Sequence, residues 1–272
     1  MTDTTPVPRT YPEGVPSWVQ LDVPNPTEAA RFYGTLFGWQ VRDPSAGYLF
    51  VHVDGADVAG IAPVGGNVEV AWRTYIAADD ADLTAERVAE KGGSILRPPE
   101  NAGPYGRWAV CADRDGTQFR LWQAGTCVGA QYVNAPGGWN FSVLRGRHPE
   151  AALAFYRDAF GWEMSTDLGA GMIRLPGYGD HLASTADPGI HERQRFAPPG
   201  FADVIAGLEP YDGASVWEVR FSVQDRDATA ALAVQAGATE LSRDEGEWTK
   251  EVRLPDPFGA VFVASQFAPA AQ

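Results

Sequence analysis

The side chains best suited to chemistry in this sequence are aromatic rings and arginines that fall on predicted strands. Nine tryptophans are many for 272 residues, and Lys91 and Lys250 are the only lysines, so arginine supplies nearly all the positive charge. Aromatic rings stack on flat conjugated molecules, and a guanidinium forms charge-assisted hydrogen bonds with a carboxylate or a phenolate. These residue types therefore favour binding of a flat aromatic acid.

Candidate ligand-binding side chains lie on the first and last strands of the repeating units described below. They are Trp18, Gln20, Trp72, Arg73, Arg120, Trp122, Phe141 and Trp217. Two alternatives stay open. Aromatic residues on strands are usually core residues, and a register shift of one residue would turn both arginines to solvent.

Other common catalytic patterns are absent from the sequence. It has no glycine-rich phosphate loop, no strand–turn–helix serine motif and no Cys/His pair placed for nucleophilic work. The neighbouring carboxylates Asp79-Asp80, and Asp225 with Asp227, fall at predicted helix starts, where capping explains them. Cys111 and Cys127 lack the spacing of a zinc site, and we expect free thiols.

Composition narrows the class of partner. A formal charge of −14 argues against a basic surface for nucleic acid or an anionic membrane. Residues 1–9 are polar and proline-rich, and no stretch approaches membrane-spanning length. We therefore expect a cytoplasmic protein whose partner is a small molecule.

The strongest organisational signal is a repeated phrase. Phe32-Tyr33 followed by Phe37-Gly38-Trp39 recurs as Phe155-Tyr156 followed by Phe160-Gly161-Trp162. Each copy follows a Glu-Ala-Ala sequence, and Asp113-Arg114-Asp115-Gly116 is echoed later by Asp256-Pro257-Phe258-Gly259. Matching landmarks in the same order indicate a duplicated domain.

Hydrophobic periodicity and turn residues give the same element order in each part. The pattern predicts a strand at 18–23, a helix at 28–37 and three further strands, and it then restarts at 70. We predict an α+β fold with two tandem domains, 12–125 and 137–267, joined by a linker at 126–136. Each domain has two βαβββ units that form a curved mixed sheet, or cup, and the second has an insertion near 176–213. That insertion is either a binding lid or a structural excursion.

These units and phrases resemble the vicinal oxygen chelate superfamily, which includes glyoxalase I, extradiol dioxygenases and bleomycin-binding resistance proteins. The resemblance covers nearly the whole chain and is nearest to the tandem two-domain branch. It implies a cup that holds a ligand or a divalent metal. It also implies paired domains within one chain, as a monomer or as a homodimer.

The resemblance also implies where a metal site would lie. The positions that carry the family's ligands correspond here to Trp18 and Phe141, to Arg73 and Glu218, and to Arg120 and Val263. Glu218 is the one metal-binding type among them, and Gln20 adds little. His148 is expected at a helix start, His52 and His181 are weak pocket candidates, and a His181–His191 ligand pair stays open. We therefore expect no cofactor, with an atypical divalent metal site as the alternative.

Three functions fit these observations. The first is a binding protein that holds a planar aromatic natural product in a metal-poor cup, for resistance or secondary-metabolite biosynthesis. The second is an enzyme, an isomerase, lyase, hydroxylase or dioxygenase, that acts on an aromatic polyketide-like substrate. It is either metal-free, with Glu218 as its acid–base residue, or has an atypical divalent metal site. The third is a structural or regulatory duplicate without working cups.

Overall fold

A computed structural model describes residues 7–45, 47–66, 68–165 and 171–269 of the chain. Within these ranges, no helix is both long and apolar enough to cross a membrane.

The first part of the chain contains eight strands and two helices. The order of one strand, one helix and three strands occurs twice. The strands are β1 Pro16–Val23, β2 Gln40–Ser45, β3 Tyr48–Val53, β4 Ala56–Pro63, β5 Ala71–Ala77, β6 Ser94–Asn101, β7 Gly106–Ala112 and β8 Gln118–Ala124. The helices are α1 Pro26–Phe37 and α2 Ala81–Glu90.

The second part repeats this order with extra helical segments. The strands are β9 Trp139–Gly146, β10 Glu163–Met164, β11 Met172–Arg174, β12 Val204–Pro210, β13 Val216–Ser222, β14 Ser242–Glu245, β15 Thr249–Pro255 and β16 Val261–Phe267. The helices are α3 Pro149–Phe160, α4 Tyr178–Ser184, α5 Ile190–Arg193 and α6 Arg226–Gln235, with a 3₁₀ turn at Phe201–Asp203.

Each part forms one eight-stranded mixed sheet, and the two sheets have the same topology. The strand orders are β2-β3-β4-β1-β5-β8-β7-β6 and β10-β11-β12-β9-β13-β16-β15-β14. In both sheets the first strand of a βαβββ unit pairs in parallel with its last strand, as β1 does with β4 and β13 with β16. The predicted α+β class and tandem duplication are confirmed.

Helix ends follow the predicted signals. Asp80 and Asp225 cap α2 and α6, since each carboxylate accepts two backbone N–H groups of the first turn. Gly38 and Gly161 end α1 and α3 in the left-handed conformation, with φ of 71° and 76°. His148 stands at the start of α3 but makes no capping hydrogen bond with its side chain.

The chain divides into two compact units that regroup the βαβββ modules. One unit contains Met1–Ser17, Tyr75–Gly129 and Val143–Trp217, and we call it the α2/α3 unit. The other contains Trp18–Thr74, Ala130–Ser142 and Glu218–Gln272, and we call it the α1/α6 unit. Each unit thus combines a helix from the first half of the sequence with a helix from the second.

Tyr33 is the centre of the core of the α1/α6 unit. Its ring contacts Trp39, Trp72 and Phe262, with centroid distances of 5.3 to 5.4 Å. Its hydroxyl donates to Asp256 Oδ2 at 2.8 Å and accepts from Trp72 Nε1 at 2.8 Å. Burial raises the pKa of both Tyr33 and Asp256, so these polar groups depend on one another for their hydrogen bonds.

Tyr156 has the same role in the α2/α3 unit. Its ring stacks on Trp162 at 4.6 Å, its hydroxyl donates to Asp113 Oδ2 at 3.3 Å, and Trp217 Nε1 donates to that hydroxyl at 3.0 Å. Burial again raises the pKa of the tyrosine and of the aspartate. The repeated tyrosine and the repeated Asp turn are therefore bonding partners, each pair joining the two halves of the sequence.

The tryptophan of each Phe-Gly-Trp phrase fixes a chain segment that precedes a first strand. Trp39 Nε1 donates to the carbonyl of Gly137 at 2.6 Å, in the α1/α6 unit. Trp162 Nε1 donates to the carbonyl of Gly14 at 2.7 Å, in the α2/α3 unit. Both indoles are buried, so the hydrogen bonds satisfy their only polar atom.

The expected insertion is a folded part of the α2/α3 unit. Tyr178, Leu182 and Ile190 of α4 and α5 are 2 to 6% exposed and belong to the hydrophobic core. The range predicted for the insertion, 176–213, also includes β12, which is a regular strand of the second sheet. The additional structure is therefore confined to the helical segments before Val204.

Candidate functional site

Strand residues alternate between two faces of each sheet, and the packing identifies the faces. On β5, Trp72 bonds to Tyr33 of α1 and Ile76 lies in the core, whereas Arg73 and Tyr75 alternate with them. We call the side with Trp72 the helix face and the opposite side the far face. Candidate functional residues are those on the far face.

Trp72 and Trp217 lie on the helix face, which corrects the expectation that they line a cup. They are 5% and 4% exposed, and each donates its indole N–H to the central tyrosine of its unit. The sequence showed that they occupy equivalent strand positions but not which face those positions take. Both are core residues.

Arg120 forms the centre of a cationic and aromatic cluster on the far face, in the α2/α3 unit. Its guanidinium carbon lies 5.3 Å from the ring centroid of Tyr75 and 5.4 Å from that of Trp108. Its Nη1 donates to the Tyr75 hydroxyl at 2.9 Å. We call Arg120, Tyr75 and Trp108 the Arg120 cluster. The guanidinium thus lies against two aromatic rings, as in cation–π contacts.

Two neighbouring side chains, Trp122 and Arg97, contact the Arg120 cluster. Trp122 pairs directly with Trp108 across β7 and β8, and its ring meets Tyr75 edge-on at 6.2 Å. Arg97 on β6 places its guanidinium 4.7 Å from the Trp108 centroid. Trp108 and Tyr75 were not among the ligand-binding residues predicted from the sequence. Tyr75 could have been found, because it lies two residues beyond Arg73 on the same strand and therefore on the same face.

Gln20, Asp22 and Arg73 form a polar group in the α1/α6 unit. Gln20 Nε2 donates to Asp22 Oδ1 at 2.7 Å, and Arg73 Nε lies 3.5 Å from Asp22 Oδ2. Asp22 is 1% exposed, and Arg73 also pairs with Glu69 at 3.2 Å. The buried carboxylate is thus compensated by Arg73, as a buried charge must be. Two carboxylates already share this arginine.

Trp18 lies two residues before Gln20 on β1 and packs on aromatic residues of the same unit. Its Nε1 donates to the Tyr48 hydroxyl at 3.3 Å, and its ring lies 5.9 Å from that of Phe50. It is 3% exposed. Trp18 therefore presents little surface to a ligand.

Glu218 belongs to a buried ion-pair network on the far face of the second sheet, in the α1/α6 unit. Its carboxylate pairs with Arg253 of β15, and Arg220 Nη2 lies 3.8 Å from it. Arg220 also pairs with Glu251 at 3.2 Å, and Ser265 donates to Glu251 at 2.9 Å. Two arginines therefore lie close to the Glu218 carboxylate, one at each oxygen. The geometry favours an ion-pair role for Glu218.

The remaining candidates are separate from these groups. Phe141 is half-buried on β9, where the alternate residues Ser142 and Leu144 are buried, so Phe141 takes the far face. His52 lies on β3 and accepts the backbone N–H of Gly55. His181 lies on α4 rather than beside a strand, and it contacts Thr10. His191 pairs with Asp180 at 3.2 Å rather than with His181.

The donor groups do not fit a divalent metal of the kind that the superfamily uses. Within the described ranges, no three His, Cys, Asp or Glu side chains converge as a metal site. Glu218, the one carboxylate at the positions implied by the resemblance, is paired with Arg253, and the nearby carboxylate Asp22 is paired with Arg73. A metal there would have to displace or repel an arginine, and two further ligands would be lacking.

We expect protein purified without chelator to contain well under one equivalent of Zn, Fe, Mn or Ni. The physical reason is the pairing of the candidate carboxylates with arginine. Elemental analysis after dialysis measures the metal directly. One equivalent retained after dialysis would contradict the expectation and would show ligands that rearrange on metal binding.

Comparisons with known proteins agree with this architecture. The model of the Glyoxalase-like domain matches residues 18–122 and again residues 142–264. CFP32 of Mycobacterium tuberculosis (strain CDC 1551 / Oshkosh), a provisionally named glyoxylase, is 33% identical over 95% of this chain and 97% of its own. The anthracycline biosynthesis protein DnrV of Streptomyces peucetius is 32% identical over 93% of each chain.

Solved structures show the same fold at low sequence identity. The Mn(II)-bound glyoxalase from Novosphingobium aromaticivorans superposes with a TM-score of 0.60 and 15% identity, covering 93% of this chain and 82% of its own. The same conclusion follows from the two copies of the domain, from the shared topology of the two sheets and from relatives that align over nearly the whole chain. The chain belongs to the Glyoxalase-like domain family, in tandem form, within the vicinal oxygen chelate superfamily.

Proposed function

We propose that the protein binds a planar aromatic small molecule that carries a carboxylate or an acidic phenol, in natural-product metabolism. The observation that carries this proposal is the geometry of the Arg120 cluster, where one guanidinium contacts two aromatic rings. A conjugated ligand extends such a stack, and its acidic group accepts charge-assisted hydrogen bonds from the guanidinium edge.

The aromatic surroundings of Arg120 favour it as the contact for an aromatic acid. Its guanidinium contacts the rings of Tyr75 and Trp108 and hydrogen-bonds to the Tyr75 hydroxyl. Arg73 is shared by Asp22 and Glu69, and Arg220 by Glu218 and Glu251. An anionic aromatic ligand at Arg120 would therefore meet positive charge and aromatic rings together.

The class of ligand also agrees with the names of relatives. DnrV and a second relative from Streptomyces sp. (strain C5), DauV, are both named anthracycline biosynthesis proteins. Their names support an aromatic polyketide as the kind of molecule to test.

Anthraquinone-2-carboxylate is expected to quench tryptophan fluorescence saturably, because its ring system would stack beside Trp108 and Trp122. The matched neutral compound anthraquinone-2-carboxamide is expected to bind more weakly, and cyclohexanecarboxylate, which has the charge but no flat ring, is expected to cause no saturable change. Isothermal titration calorimetry supplies the affinities without optical interference. Absence of saturable binding by both anthraquinones would refute the proposal.

A further inference from the structure

A cavity of about 210 Å³ lies in the α2/α3 unit, and Arg120, Tyr75 and Trp108 are not among its lining residues. It is bounded by the N-terminal segment, by the ends of β5 and β8 and by the linker, with Tyr11, Ser17, Asp79, Trp122 and Val128 among its lining residues. The volume exceeds the roughly 150 Å³ of an engineered cavity that holds benzene. A substituted six-membered ring therefore fits.

The Ser17 hydroxyl is the feature that indicates a polar occupant. Ser17 is 1% exposed, and its Oγ has no hydrogen-bond partner among the described residues. A buried hydroxyl without a partner costs free energy, so such groups are normally satisfied by protein, water or ligand. Because Ser17 lines the cavity, a molecule bound there can supply a partner for this hydroxyl.

The other walls define the chemistry of that molecule. Trp122 gives its indole N–H to the carbonyl of Cys127 at 2.9 Å, which leaves the ring for packing. Asp79 supplies an exposed carboxylate at the rim, and none of the lining residues is Lys, Arg or His. A cation is therefore favoured and an anion disfavoured.

We propose that this cavity binds a small saturated ring that carries a protonated amine and a hydroxyl group. The hydroxyl hydrogen-bonds to Ser17 Oγ, the ring packs on Trp122, and the ammonium faces Asp79. This site goes beyond the aromatic-acid function, because Trp122 is the one residue that both sites use and the preferred charge is opposite.

The test uses three rings of matched size, 4-aminocyclohexanol, cyclohexane-1,4-diol and 4-hydroxycyclohexanecarboxylate, measured by calorimetry and ligand-observed NMR on the full chain. We expect the amine to bind about threefold more tightly than the diol, as one exposed ion pair allows, and the carboxylate not to bind. Ser17→Ala should weaken amine binding about tenfold. Asp79→Asn should remove the preference for the amine while the diol binds as before. These factors are on the scale of one hydrogen bond or one exposed ion pair.

Ser142→Ala is the matched control, since Ser142 is also a buried serine but accepts a hydrogen bond from Thr74 at 2.8 Å. It should lower the thermal midpoint and leave ring binding unchanged, whereas Ser17→Ala should not lower the midpoint. If none of the three rings binds at about 20 mM, the cavity holds water only and the proposal is wrong. It is equally overturned if Ser17→Ala binds the amine as the parent does.

Discussion

Replacing Arg120 by alanine is expected to weaken binding of anthraquinone-2-carboxylate about ten- to a hundredfold. The reason is the loss of a charge-assisted contact of about 1.5–3 kcal/mol with the carboxylate of the ligand. The guanidinium also contacts the rings of Tyr75 and Trp108, so the variant loses these contacts as well. Calorimetric titration of parent and variant with the same ligand measures the difference.

Two further variants separate charge from packing. Arg120→Lys keeps the charge but lacks the planar group, and we expect an intermediate affinity. Arg31→Ala removes an exposed arginine of α1 and should bind like the parent. Binding of the neutral carboxamide should fall less than that of the carboxylate in Arg120→Ala. Equal losses for both compounds would mean that Arg120 supports the rings only, and the proposed recognition of an acid would be wrong.

Replacing Asp256 by alanine is expected to lower the free energy of unfolding by about 3 kcal/mol. The carboxylate accepts hydrogen bonds from the Tyr33 hydroxyl at 2.8 Å and from the backbone N–H groups of Phe258 and Ala260, both at 2.9 Å. Leaving a buried donor without an acceptor costs about 1–3 kcal/mol, and Tyr33 is fully buried. Urea denaturation followed by circular dichroism measures the loss.

Asp115→Ala provides a control on the corresponding turn of the first half, because Asp115 is exposed and contributes its backbone N–H rather than its carboxylate. It should leave the free energy of unfolding within about 0.5 kcal/mol of the parent value. A loss in Asp256→Ala no larger than in this control would show that the Tyr33–Asp256 bond does not stabilise the core.

The raised pKa of Asp256 predicts that the free energy of unfolding depends on pH. Burial raises the pKa of Asp256 in the folded protein, so the folded state takes up this proton at a higher pH than the unfolded chain. Its contribution to stability is present in full below the unfolded pKa and is lost as the pH rises through the folded pKa. Asp256→Asn keeps one accepting oxygen and cannot titrate. The free energy of unfolding of Asp256→Asn, measured by urea denaturation at a series of pH values, should therefore lack this part of the pH dependence.

The sequence by itself determined the duplication, the α+β class and the order of elements. These follow from local signals: alternating strands, capping residues such as Asp80 and Asp225, and glycines such as Gly38 and Gly161 that end helices. It also determined that the positions of the superfamily's metal ligands hold mainly aromatic and cationic side chains, because residue type alone decides which groups can coordinate a metal.

The tertiary structure decided which face each strand residue takes and which distant residues are partners. Alternation separates Trp72 from Arg73, but only packing against α1 shows that Trp72 is the buried one, since both faces of these strands carry large side chains. The repeated phrases were visible as repeats. The hydrogen bonds of Tyr33 to Asp256, 223 positions away, and of Tyr156 to Asp113 were not visible in the sequence. Such pairing depends on how the chain folds back, and it leaves no local pattern.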